Sequence, residues 1–334
     1  MNFFRTETSW VNLICVVLIL TVSAAHAKGQ DSIEDLLEAA MQSSDSDERD
    51  DESEESVDGA TLHSASPPLW KITDKGKSAV YLIAGLHFLP TTDEWQTPVI
   101  NKALVAADTV WFEAETGTPE ANAAVERALL ENGDNPEGTT LSSLLGPSNE
   151  LLLPVIAHKI DAPVAALETM RPWRAHMTIG MLMTQQAGFD PSKGAARTLL
   201  EESQERGQKI AYLETPADQL SMLTDMPLKT EVSLLRASLR TFDQQKADLP
   251  ALLGAWQQGD TSTIDRILNE PMRGQAPLAY DHLVVDQNQK WASKIEVLLE
   301  GSDSAAMVIS ARHLVGPDSI PAMLEEEGYT VERQ

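Results

Sequence analysis

Two apolar runs of the chain each lead into a histidine. The run Ala79–Ile83 passes through small residues to His87, and the run Ala306–Ile309 passes in the same way to His313. Continuous apolar runs of this length are typical of strands that are buried on both faces of a parallel sheet. We therefore predict two buried strands that place His87 and His313 at their carboxyl ends.

Carboxylates end three other apolar segments, which are also predicted to be strands. They are Glu113 with Glu115 after 108–112, Glu168 after 162–167, and Glu214 after 209–213. Helical patterns separate these segments, and an alternation of strands with helices indicates a largely parallel sheet covered on both faces. Ligands bind at the carboxyl ends of the strands in such sheets, so we expect the histidines and glutamates to line one crevice.

The two ends of this region complete the predicted fold. Residues 69–73 alternate like a half-buried strand, and the turn residues at 74–77 predict an antiparallel hairpin with the strand at 79. Residues 217–300 have a helical pattern almost throughout and are expected to form a cap over the sheet. The predicted fold class is α/β, with a mostly parallel or mixed central sheet that is flanked by helices.

The first 65 residues differ in composition from the rest of the chain. The apolar run Val11–Val22 is followed by the small-residue cleavage motif Ala25–Ala27, so residues 1–27 are predicted to be a signal peptide. Residues 28–65 are rich in Asp, Glu and Ser and predict a disordered acidic tether. We expect a periplasmic or secreted protein with one domain at 66–334 and no membrane span after signal cleavage.

Charge and cysteine content narrow the possible functions. The chain carries a formal net charge of −26 and has no basic stripe, so nucleic acid is not an expected partner. Its single cysteine, Cys15, lies in the predicted signal peptide. The mature domain is therefore expected to have no disulfide bond and no thiol chemistry.

Two imidazoles and several carboxylates at one crevice can bind a divalent metal. Nitrogen and oxygen ligands together suit Zn, Mn or Co better than Ca. A metal-bound water would then be the nucleophile, with a remaining glutamate as general base. The same groups can also work without a metal, because a histidine backed by a carboxylate can activate water by itself. The chain contains no HExxH, paired CxxC, phosphate-loop or GxSxG motif.

A series of short motifs runs in order from about residue 67 to the C-terminus. The series comprises Leu69-Trp70, Tyr81–His87, Trp111–Glu113, Arg171–Trp173, Gly188–Asp190, Leu213–Thr215 with Gln219, His313–Gly316 and Gly328-Tyr329. In this order the motifs resemble the TraB/GumN family, which is related to the Tiki metalloproteases and more distantly to ChaN-like haem-binding and erythromycin-esterase-like proteins. The resemblance implies an α/β core of two related halves and a site carried by two Gly-x-x-His motifs and a glutamate. In the Tiki branch it implies peptidase activity that depends on Mn or Co.

The resemblance also implies roles for particular residues of this chain. It places the two histidines at His87 and His313 and the acidic residue at Glu113, with Glu214 in a further recurrent motif. All four are expected ligands of Mn, Co or Zn, with Glu113 alternatively the general base and Glu214 alternatively an orienting group. The expected substrate is a peptide or protein.

Several positions depart from the family pattern. Ala84 and Ser310 stand where the motifs have glycine, Arg312 replaces the small residue before the second histidine, and Gln287 replaces the arginine of an Arg-Asn pair. A cation beside His313 opposes metal binding unless it points away or pairs with a carboxylate. Arg312 is also our candidate for the missing positive group that would stabilise an oxyanion.

Two functions from different classes stay open at this stage. The first is a metal-dependent peptidase in which Glu113, His87, His313 and Arg312 are catalytic. The second is a non-catalytic envelope protein that keeps the fold and binds a partner or a haem-like ligand, which the altered glycines and Arg312 favour. The retained histidines and glutamates favour the first, because such groups are costly to bury without a partner or an ion. The sequence does not indicate the oligomeric state, the substrate or the pathway.

Overall fold

A six-stranded mixed sheet forms the centre of the chain in this computed structural model, which describes residues 66–74, 78–91 and 95–334. The strands are β1 (Leu69–Thr73), β2 (Ala79–Gly85), β3 (Thr109–Ala114), β4 (Lys209–Glu214), β5 (Ala305–Ser310) and β6 (Thr330–Arg333). The predicted signal peptide at 1–27 and the predicted tether at 28–65 lie outside the described residues.

The strands lie in the order β4-β3-β5-β2-β1-β6. The four strands from β4 to β2 are parallel, whereas β1 pairs antiparallel with both β2 and β6. Gly85 is in register with Ser310, and Ala114 is in register with Glu214, so the parallel strands end close to one another at one edge. The mostly parallel or mixed sheet and the opening hairpin are confirmed.

Helices account for most of the remaining described residues. In chain order they are α1 (Pro98–Ala106), α2 (Pro119–Asn132), α3 (Leu141–Leu145), α4 (Pro147–Glu150), α5 (Leu152–Lys159), α6 (Val164–Glu168), α7 (Pro172–Gln186), a 3-10 turn (Pro191–Lys193), α8 (Ala195–Glu205), α9 (Pro216–Thr224), α10 (Leu228–Arg240), α11 (Phe242–Gln258), α12 (Thr261–Leu268), α13 (Glu270–Gln275), α14 (Pro277–Tyr280), a π-helical turn (Asp281–Val285), α15 (Asp286–Glu300), α16 (Ala311–Leu314) and α17 (Ile320–Glu326). None of the helices in the described ranges is both long enough and apolar enough to cross a membrane.

The sheet and seven helices share one hydrophobic core, to which α12 adds Ile264 and α16 adds Leu314. Helices α1, α8, α11, α15 and α17 contribute the buried residues Ile100, Leu199, Trp256, Ile295 and Leu324 to it. All of the strand residues Ala305–Ile309 are buried in this core, as expected of a central parallel strand. The continuous apolar character of β5 therefore follows from its position between two other strands.

The predicted helical cap at 217–300 is present. Residues 216–300, which are described throughout, contain helices and no strand. Helix α10 of this segment packs through Leu235 against Leu145 of α3, Leu153 of α5 and Ile179 of α7 in a second hydrophobic cluster. The cap therefore combines helices that precede β4 in the sequence with helices that follow it.

The predicted strand at 162–167 is wrong, because this segment contains the short helix α6. Pro163 precedes the first helical residue, and Ala165, Ala166 and Leu167 are good helix formers. Glu168 therefore ends a helix in the second hydrophobic cluster and not a strand of the sheet. Its carboxylate accepts hydrogen bonds from the backbone N–H of Ser142 at 3.0 Å and from the Ser142 hydroxyl at 2.5 Å.

Candidate active site at the carboxyl edge of the sheet

The two histidines of the sequence motifs follow neighbouring parallel strands. Strands β2 and β5 end in register at Gly85 and Ser310, and His87 and His313 come two and three residues later. Both histidines line the same cavity, whose volume is about 390 Å³. His87 is exposed to solvent, whereas His313 is only 6% exposed. The two imidazoles therefore line one crevice as predicted, whereas none of the glutamates predicted beside them is among the described residues that line this cavity.

Asn288 holds the ring of His313. The Nδ2 atom of Asn288 donates to the backbone carbonyl of Asp318 at 2.6 Å, which directs its Oδ1 atom towards His313. Nδ1 of His313 lies 2.7 Å from this oxygen. An amide oxygen can only accept, so Nδ1 carries the proton and the lone pair lies on Nε2. The edge of Trp291 packs on the same ring, with a centroid distance of 4.9 Å.

His313 is uncharged near neutral pH. Burial lowers its pKa to about 3, and the positive charge of Arg312 acts in the same direction. An imidazole that stays neutral and donates its other N–H to a fixed acceptor has the properties of a metal-binding histidine. A base with such a low pKa is poorly matched to proton abstraction near pH 7.

Glu113 links β3 to the turn that carries His313. Its Oε1 atom accepts a hydrogen bond from the backbone N–H of Ser310 at 2.6 Å, and its Oε2 atom accepts one from Nε2 of Gln219 at 3.3 Å. The contact with Ser310 crosses from β3 to the end of β5. Glu113 thus lies at the predicted edge and connects to the backbone three residues before the buried histidine.

Glu214 occupies a more buried position at the end of β4. Its Oε2 atom accepts a hydrogen bond from Nε2 of Gln287 at 2.6 Å, and its Oε1 atom is buried without a hydrogen-bond partner. Burial raises the pKa of Glu214 to about 7, the Gln287 hydrogen bond opposes this rise, and the charge of Glu113 adds to it. The amide of Gln287, in place of an arginine, leaves this carboxylate without a full positive charge as its hydrogen-bonded partner.

Arg312 contributes a positive charge beside the cavity that it lines. This charge lowers the pKa values of both His313 and His176, in each case after the larger effect of burial. The backbone carbonyl of Arg312 accepts a hydrogen bond from Nδ2 of Asn269 at 3.0 Å. Arg312 therefore lies close to the imidazoles, as its place in the sequence predicts.

The four predicted metal ligands fit a divalent cation only in part. Two features fit a divalent cation: the neutral ring of His313 with its N–H held by Asn288, and the unpartnered buried Oε1 atom of Glu214. A third feature does not fit, because within 66–74, 78–91 and 95–334 no three His, Cys, Asp or Glu side chains come together as a metal-binding group. Binding of Mn, Co or Zn at these residues therefore stays a prediction.

Three residues contribute to the site although the sequence pattern does not indicate them. Asn288, the residue after Gln287, orients His313, and nothing in the sequence pattern indicates this role. Asn269, which is 1% exposed, donates to the carbonyl oxygens on either side of His313, at Arg312 and Val315, and no sequence signal indicated it. His176 lies on the cavity wall, where its Nδ1 atom is 2.7 Å from the hydroxyl of Ser238.

Comparison with known proteins identifies the family. The sequence pattern of the TraB/PrgY/gumN family matches residues 68–333, so the chain belongs to that family. It is similar to a protein of Escherichia coli strain K12 described as "Uncharacterized protein YbaP", with 23% identity over 261 residues, which cover 77% of this chain and 92% of that protein. A Shigella flexneri protein with the same description matches with the same identity and coverage.

Proposed function

We propose that the chain is a metal-dependent hydrolase that acts on peptides. The observation that carries this proposal is His313, a buried and neutral imidazole whose Nδ1 is held by Asn288. His313 shares a cavity with His87, and Glu113 hydrogen-bonds to the backbone at Ser310. Membership of the TraB/PrgY/gumN family supports the proposal through the resemblance to the Tiki branch.

Each residue has a defined part in this proposal. His87 and His313 would hold a divalent cation through ring nitrogens, with Glu113 or Glu214 as a further ligand. When bound, the cation would polarise the substrate carbonyl and lower the pKa of a bound water. Asn288 keeps the lone pair of His313 on Nε2, and Arg312 supplies positive charge for a developing oxyanion.

A second candidate function is a non-catalytic protein that binds a ligand at the same cavity. The specific observation in its favour is Arg312, whose positive charge acts on both His313 and His176 and opposes the binding of a cation at His313. The two candidates differ in a measurable way, because only the first requires bond cleavage and a metal.

The direct test is cleavage of a mixed peptide library, followed by mass spectrometry, with Mn, Co or Zn added and again with a chelator. We expect metal-dependent cleavage that falls by at least about a hundred-fold in His313→Ala and in Glu113→Gln. Glu113→Gln keeps an oxygen that can accept from Ser310, so its fold is retained. His158→Ala is the matched control, since His158 is exposed on α5. Cleavage that is absent, or equal in all of these variants, would exclude the hydrolase.

A further inference from the structure

The cavity beside the two histidines has a largely apolar wall. Its lining includes Met177 and Met181 on α7, Leu249 and Leu253 on α11, and Ile267 on α12. The lining also includes His87, Ser310 and His313, the residues at the carboxyl edge of the sheet. The cavity therefore runs from the candidate active site into the helical cap.

The size of the cavity limits what it can hold. Its volume of about 390 Å³ lies at the lower end of the range of ligand pockets, which is roughly 300–1,000 Å³. A cavity of about 150 Å³ already holds a benzene molecule. The space is therefore sufficient for one large side chain of any apolar type together with the adjoining backbone.

The charges around the cavity limit the chemistry of its occupant. Among the described residues that line it, none is Asp or Glu, and Arg312 brings a positive charge. A cationic side chain placed against the apolar wall, away from the histidines, would lose its hydration without gaining a carboxylate. Methionine side chains are flexible and pack against many shapes, so the wall suits several apolar groups equally well.

We propose that this cavity is the specificity pocket of the enzyme and receives one large, uncharged apolar side chain of the peptide substrate. The bond next to that side chain would lie at His87 and His313, because these residues line the cavity at the carboxyl edge of the sheet. This inference rests on the proposed function for its substrate class. It adds that leucine, methionine, norleucine and phenylalanine are accepted, whereas alanine is too small and lysine is excluded.

Gly180 provides a way to fill the cavity without disturbing the fold. It lines the cavity from within α7, and a Cβ atom added there would meet no heavy atom within 4 Å. Gly254 within α11 has equally open surroundings but is not part of the cavity lining. Gly180→Leu therefore fills the pocket, and Gly254→Leu makes the same chemical change elsewhere.

The test measures binding and cleavage of labelled peptides acetyl-Ala-Ala-X-Ala-Ala-amide by the full chain, where X is Leu, norleucine, Phe, Ala or Lys. Binding is followed by fluorescence anisotropy and cleavage by mass spectrometry. We expect the parent and Gly254→Leu to bind the Leu, norleucine and Phe peptides at least about ten-fold more tightly than the Ala and Lys peptides. Gly180→Leu should lose this preference.

The outcomes separate the pocket from the catalytic proposal. Preferential binding that is lost in Gly180→Leu supports the pocket even when no peptide is cleaved, and in that case the hydrolase proposal alone fails. Equal binding of the norleucine and Lys peptides would overturn the pocket. The pocket would also be overturned if Gly180→Leu kept the preference for apolar peptides, or if none of the five peptides bound.

Discussion

Nδ1 of His313 lies 2.7 Å from Oδ1 of Asn288, a residue that is completely buried on α15. The contact ties the turn after β5 to the helical cap, and it decides which nitrogen of the imidazole keeps its lone pair. The nitrogen of His313 that is free to bind a ligand is therefore set by a residue 25 positions away in the sequence.

Removal of the Asn288 amide should destabilise the fold. In Asn288→Ala the buried N–H of His313 and the carbonyl of Asp318 both lose their partner, which costs about 1–3 kcal/mol for each unsatisfied group. Urea unfolding at pH 7 measures this loss. The control is Gln289→Ala at the exposed neighbouring position of the same helix, which should change the free energy of unfolding by less than about 0.5 kcal/mol. Equal effects of the two substitutions would contradict the role assigned to Asn288.

Gly316 lies three residues after His313, and a substitution there tests how tightly this turn packs against Asp265. Its φ of +87° disfavours side chains, and a Cβ atom there would collide with the carboxylate of Asp265. That carboxylate cannot move freely, because it accepts hydrogen bonds from Asn269 and Arg273, both at 2.9 Å. Gly316→Ala should therefore lower the free energy of unfolding by about 1–3 kcal/mol more than Gly328→Ala.

Gly328 is the matched control for backbone strain alone. Its φ is +92°, and an added Cβ atom would meet no heavy atom within 4 Å. The two variants share a strained backbone and differ in crowding. Thermal unfolding curves that shift equally for both would show that the contact with Asp265 is unimportant.

Glu214 should make the fold less stable as pH rises. Its pKa is raised from 4.5 to about 7, so the folded chain retains a proton that the unfolded chain releases between these values. Stability is therefore lost as pH rises through this window. Glu214→Gln should be more stable than the parent by about 1–2 kcal/mol at pH 8, a value reduced for partial solvent screening, and the difference should shrink at pH 5.

Urea unfolding in the presence of a chelator measures this pH dependence without interference from bound metal. Glu131→Gln removes one negative charge at an exposed position of α2 and serves as the control. A Glu214→Gln variant whose advantage is the same at pH 5 and pH 8 would be inconsistent with a raised pKa.

His176 should have the opposite effect at acid pH. Burial lowers its pKa from 6.5 to about 4, so the unfolded chain takes up a proton that the folded chain does not. Stability is therefore lost as pH falls from 6.5 through 4. His176→Asn should reduce this acid sensitivity by up to about 3 kcal/mol, as measured by unfolding at pH 7 and pH 4.5, whereas His158→Asn at the exposed end of α5 should not.

The parts of the site that lie on strands could be predicted from the sequence. The alternation of strands with helices indicates a parallel sheet, and the carboxyl ends of its strands lie at one edge. The apolar runs before His87, Glu113, Glu214 and His313 therefore place all four residues at that edge. The error at 162–167 shows the limit of this reasoning. A short apolar run fits a buried strand and a short helix equally well, and only the packing of Leu167 among helices decides between them.

The parts of the site that depend on contacts between distant helices could not be predicted. Asn269 and Asn288 are ordinary polar residues of helical segments, and their function comes from tertiary contacts with the turn at His313. The cavity has the same origin, since α7, α11 and α12 each contribute a few side chains to it. The local pattern of hydrophobic and polar positions does not predict which helices pack against one another.

The central claim is that His87 and His313 hold a divalent metal, and metal analysis tests it most directly. The protein is purified without a chelator or histidine tag, beside the double variant His87→Ala/His313→Ala and the control His158→Ala. We predict near-stoichiometric Mn, Co or Zn in the parent and the control, and none in the double variant. A parent that contains no metal, and gains no thermal stability when Mn, Co or Zn is added, would contradict the claim.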